Sequence, residues 1–148
     1  MNLQPIFWGG LIAGTLDIIA ACVSAWLRSG TNPVRVLQFV ASGLLGAASF
    51  AGGATTALLG LALHFLIATV ATALFYFASR KWFFLVERPV AAGLLYGVLV
   101  YAFMNFVVIP LSAITQRSAN LSGRIVGLLI IMVFVGLPIA LIVRRFAR

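Results

Sequence analysis

Apolar runs separated by short basic or proline-marked segments organise this chain. The first run extends from about Pro5 to Leu27 and stops at Arg28. The next stretch free of Lys, Arg, Asp and Glu reaches from Val36 to Ser79. It is about twice as long as one crossing of a bilayer requires. A break is therefore expected, and the glycine-rich "GLLGAASFAGG" at 43–53 is the place for it. Four membrane crossings follow, at about 5–27, 54–79, 89–112 and 125–143. A short piece at about 33–45 remains. Asn32 can cap it, Pro33 suits its first turn, and Arg35, Gln38, Ser42 and Ser49 recur at helical spacing. That stripe predicts an amphipathic helix lying in the membrane interface. A re-entrant segment is the alternative, and it requires backbone buried in protein or facing water.

Composition supports lipid as the solvent. Of the 148 residues 64% are hydrophobic and 8% are charged, against about 25% charged in a soluble domain. The expected fold is all-α: one membrane domain over 1–148, four crossings plus the interfacial helix. The net charge of +8 does not indicate nucleic acid. Its basic residues stand singly or in pairs at the ends of apolar runs, where they meet headgroups. Arg80, Lys81, Arg88, Arg144, Arg145 and Arg148 fall on one side, and Arg28, Arg35, Arg117 and Arg124 on the other. The excess predicts that both termini are cytoplasmic. Trp8, Trp26 and Trp82 suit interfacial belts.

Asp17 lies in the middle of the first apolar run. An acid at the centre of a crossing costs about 2.5–3.5 kcal/mol on insertion scales, so it calls for a partner. On a helical wheel Gly10, Gly14, Asp17, Ala21, Ser24 and Arg28 share one face. That stripe of small residues predicts close helix contact. The third crossing repeats the design with Gly93, Gly97, Tyr101, Asn105 and Ser112. Gly10, Gly14, Gly93 and Gly97 are expected at helix contacts. His64 in the second crossing, and Tyr101 and Asn105 in the third, fall near the depth of Asp17, with His64 the expected mate.

Two readings of this polar cluster stay open. It is a clasp holding helices in register, or a proton relay or cation site. The clasp goes with a structural or accessory subunit of a larger membrane complex or homo-oligomer, and this is the expected role. The relay goes with a proton-linked carrier or channel for a small solute or ion. A cofactor or lipid-handling role is the third possibility.

Other chemistry is excluded more simply. With one cysteine, Cys22, no internal disulfide can form. "IAAC" at 19–22 mimics a lipoprotein cleavage site, but it lacks a basic start and carries Asp17 upstream. One histidine and two acids are too few for a closed metal site, so no metal or cofactor is expected. No hydrolase motif occurs, and Glu87 beside Arg88 reads as a surface pair, so the chain is not expected to be an enzyme. Asn120-Leu-Ser122 reads as a chance sequon.

The segments "LHFLIATVATALFY" and "AAGLLYGVLVYAFMNFVVIPL" resemble part of the YagU-type bacterial inner-membrane proteins. His64, Tyr76, Gly93, Gly97 and Pro110 carry the resemblance. Asn105 stands in the region where that family has a second histidine. The resemblance covers about a third of the chain and implies a bacterial inner membrane.

Overall fold

The computed structural model describes residues 2–115 and 120–147; among these the regular elements are all helical. Arg117 and Arg148 of the charge count lie outside the described residues. Helix α1 is Gln4–Ser29, with Pro5 in its first turn and Gly30 in the left-handed region closing it. Helix α2 occupies Pro33–Ala51, the part from Gly46 onward being a tighter 3-10 turn. Helices α3 (Gly53–Lys81), a single turn α4 (Phe84–Glu87), α5 (Pro89–Leu111) and α6 (Leu121–Phe146) complete the order.

Five helices, not four, are long and apolar enough to cross a membrane by length and composition: α1, α2, α3, α5 and α6. The additional one is α2, where the polar stripe predicts an interfacial helix. It is not a straight rod. Gly46 has φ 62° and ψ −150°, a conformation few side chains tolerate, and the chain reverses there. Ser49 Oγ donates to the Gln38 carbonyl at 2.5 Å and Gln38 Nε2 donates to the Gly53 carbonyl at 3.1 Å. In a straight helix Gln38 and Ser49 would stand about 16 Å apart.

Most of the stripe is turned into the protein, while Arg35 stays exposed. Gln38, Ser42 and Ser49 are buried, and Gly60 of α3 lets the Leu37 carbonyl come within the space a side chain would need. Polar groups of α2 are thus satisfied inside protein, which accounts for the stripe without any headgroup contact.

Neighbouring long helices run antiparallel. Gly9 meets Thr72, Gly10 meets Thr69 and Gly14 meets Phe65, so α1 and α3 oppose each other. A Cβ on Gly10 would lie 2.9 Å from the Thr69 Cα, and one on Gly97 would lie 2.5 Å from the Met132 Cα. Gly93 packs on Gly136 and Leu137, so α5 and α6 also oppose each other. Gly10, Gly93 and Gly97 therefore sit where another helix backbone comes close, and Gly14 where the Phe65 ring does.

Packing differs between the two ends. The core of Ala13, Ala71, Phe75, Ala92, Val135, Ile139, Ala140 and Val143 lies toward the end that holds both termini. Toward the other end no described residue of α1 after Gly14, of α5 after Gly97 or of α6 before Val135 is buried. Helices α1, α5 and α6 part there and cavities open between them, while α2 stays packed on α3 at Gly60.

Both α5 and α6 contain a five-residue π-turn, Met104–Val108 and Met132–Gly136. Each starts at a methionine six positions before a proline, in "MNFVVIP" and "MVFVGLP". Proline removes one N–H and crowds the preceding turn, and a wider turn accommodates this without ending the helix.

Candidate functional site

Asp17 sits roughly 20 Å along α1 from Gln4, near the middle of the helix. Its placement depends on Gly14, one turn earlier. With no side chain at 14, the Phe65 ring of α3 closes onto α1, and a Cβ there would be 2.8 Å from Phe65 Cδ1. This brings His64 against the α1 backbone. Its Nε2 lies 2.8 Å from the Gly14 carbonyl oxygen. A carbonyl only accepts, so Nε2 carries a hydrogen and donates it. The ring also stands edge-on to Phe65, with centroids 5.6 Å apart at 80°.

The same Nε2 is 3.8 Å from Asp17 Oδ2. That is ion-pair distance and beyond a hydrogen bond. Their side chains are 20% exposed for Asp17 and 13% for His64, so neither is sealed in the core. Among the described residues no hydrogen bond reaches the carboxylate.

Instead Asp17 lines a cavity of about 610 Å³ between α1 and α6. Ala21, Ser24, Ala25, Arg28 and Ser29 continue along α1 from Asp17 toward the end away from the termini. Asn120, Val126, Ile130 and Ile131 face them from α6. The far end is tied by Arg28, whose Nη2 donates to Asn120 Oδ1 at 3.2 Å and to Ser122 Oγ at 3.4 Å. Asn120 also caps α6 by accepting from the Gly123 N–H at 2.9 Å. Those local bonds give Asn120 and Ser122 a structural use.

Tyr101 and Asn105 stand elsewhere. They border a second cavity of about 460 Å³ between α5 and α6, with Arg124. Asn105 Nδ2 donates to the Tyr101 carbonyl at 2.9 Å, within its own helix. This bond takes up a carbonyl beside the π-turn. The structure thus brings Asp17 and His64 together and places Tyr101 and Asn105 on the α5 side of α6. The sequence reading did not include the α6 wall of the Asp17 cavity; Gly123 and Gly127, four residues apart, were the available signal.

Of the other polar side chains, Thr69 and Thr72 bond to the carbonyls of Phe65 and Ala68 in their own helix. Tyr96 donates to the Ala71 carbonyl at 2.6 Å and links α5 to α3. Glu87 forms no salt bridge among the described residues. No group of three or more His, Cys, Asp or Glu that could hold a metal occurs among them.

No protein-family model, curated protein or solved structure matches this chain.

Proposed function

We propose that the chain is a small integral membrane protein of the proton-linked carrier or channel type, with Asp17 and His64 as its proton-handling pair. One observation carries this reading: a mid-helix carboxylate, free of hydrogen bonds among the described residues, faces a cavity with a polar mouth while an imidazole stands beside it. A clasp would bond the carboxylate to another helix. Intramembrane ionisable groups that face a cavity are the usual components of proton relays.

The proposed topology has four crossings, α1, α3, α5 and α6, with α2 entering and leaving at one face. Antiparallel contact of α1 with α3 supports it, since a crossing by α2 would make those two parallel. The tie between Arg28 and Asn120 supports it too, because it joins the end of α1 to the start of α6. The internally bonded polar stripe of α2 meets the requirement for re-entrant backbone. The proposed location is a bacterial inner membrane with both termini cytoplasmic, the side richer in Lys and Arg.

The test uses pyranine-filled proteoliposomes under an imposed pH gradient. The wild type is expected to speed decay of the gradient, Asp17→Asn to return it to the rate of protein-free vesicles, and Asp17→Glu to restore part of it. Circular dichroism and gel filtration establish that the variants fold. Equal decay with wild type and Asp17→Asn overturns the reading.

An accessory-subunit role has one observation in its favour. An apolar groove of about 510 Å³ runs between α3 and α5, bordered by Leu66, Val70, Leu74, Leu99 and Phe103. Under that reading the protein leaves native membranes in mild detergent with a larger partner or as a defined oligomer, and native mass spectrometry identifies which.

A further inference from the structure

The cavity beside Asp17 also carries information about what it would hold. Resting on the proton-site reading, we infer that the solute is a monovalent organic cation, an ammonium-type head on an apolar body, whose binding displaces one proton from the Asp17–His64 pair.

The argument begins with the ligands near the carboxylate. A bare alkali ion needs several oxygens to replace its water. Among the described residues, the cavity offers the carboxylate alone at the level of Asp17, because the Gly14 carbonyl is occupied by His64 Nε2. The next polar side chain along α1, Ser24, is about 10 Å farther on. Between them Ala21 lines α1, and Val126, Ile130 and Ile131 face it from α6. One carboxylate and apolar walls suit an ammonium group with hydrocarbon attached, which needs a counter-charge and contact rather than a complete oxygen shell.

Charge fixes the stoichiometry. Among the described residues the groups facing Asp17 are few: His64 from α3, and Arg28 about 16 Å along α1. None of the α6 residues on the cavity titrates. Arg35, the titratable residue of α2, lies over the Phe50 ring at 4.7 Å. The empty pair is neutral overall when it holds one mobile proton, as carboxylic acid with imidazole or as carboxylate with imidazolium. A cation on the carboxylate keeps that neutrality only if this proton leaves and His64 stays as neutral imidazole, its Nε2–H still on Gly14. Retaining both would leave a net charge inside the membrane, which is costly. The site is then neutral before and after: one cation enters and one proton departs. A dication would break the balance and would also pass the Arg28 guanidinium at the mouth.

The experiment measures proton release from detergent-purified protein in weakly buffered solution with a pH-indicator dye. The probe is benzyltrimethylammonium chloride, which has no exchangeable proton. Saturable release of one proton per bound cation is expected, with no release from NaCl or KCl at the same ionic strength. Asp17→Asn is expected to abolish release. Ala21→Phe and Ile130→Phe fill the apolar wall from opposite helices. Each is expected to weaken the benzyltrimethylammonium response at least tenfold, with circular dichroism and gel filtration establishing that the variants fold. Equal release by alkali salts, absence of release from wild type, or a wild-type response from both wall variants overturns the inference. Asp17-dependent gradient decay without organic-cation release removes the solute class and leaves the proton site standing. Loss of both removes the proton site as well.

Discussion

The absence of a side chain at position 14 is what lets an imidazole reach a helix carbonyl. Gly14→Ala puts a methyl group against Phe65 and pushes α3 away from α1. A loss of about 1–3 kcal/mol is expected in mixed-micelle unfolding, with slower gradient decay because His64 moves from Asp17. The pair itself can be isolated by a double-mutant cycle on Asp17→Asn and His64→Gln. A coupling of roughly 0.5–2 kcal/mol is expected, and zero coupling would show that 3.8 Å is mere proximity. The level shared by Asp17 and His64 was readable in the sequence because α1 and the relevant part of α3 keep an unbroken 3.6-residue period. Asn105 was harder to place. Its π-turn begins at Met104, and the wider turn puts the residues beyond it out of phase with the wheel that joined Gly93 to Ser112.

Three glycines should differ in how well they tolerate a methyl group. A Cβ on Gly136 would overlap the backbone of Gly93 and Gly97, and one on Gly60 would overlap the Leu37 carbonyl. Neither obstacle is a flexible side-chain tip. Gly136→Ala and Gly60→Ala are each expected to cost about 1–3 kcal/mol. At Gly43 the nearest atom would be the Ser112 Cβ at 3.9 Å. Gly43→Ala should stay within about 0.5 kcal/mol, and thermal unfolding of the three variants side by side checks the order. The glycine spacing at 10/14 and 93/97 was visible in sequence as a packing signal. Which residues met them was not, since helix order and direction leave no local mark. The reversal inside α2 was hidden for a related reason. A stripe of Gln and Ser at helical spacing looks the same whether it faces headgroups or a second leg of its own hairpin.

Across the whole molecule, the proposed number of crossings rests on the direction of α3 relative to α1. Single cysteines at Ser29→Cys and Ala51→Cys, in a Cys22→Ala background, are expected to react with an impermeant maleimide from the same face of sealed vesicles. Labelling from opposite faces would mean that α2 spans. The contrast between the interlocked core near the termini and the parted helices beyond Gly14 and Gly97 has a further consequence. Amide protons along one bundle should differ in lifetime by depth, because openings cost least where few apolar contacts are broken. Deuterium uptake should be slow in peptides covering Phe75, Ile139 and Val143 and fast in those covering Ser24 and Gly127. If so, the bundle breathes from one mouth only, and whatever enters from that side meets a fixed floor.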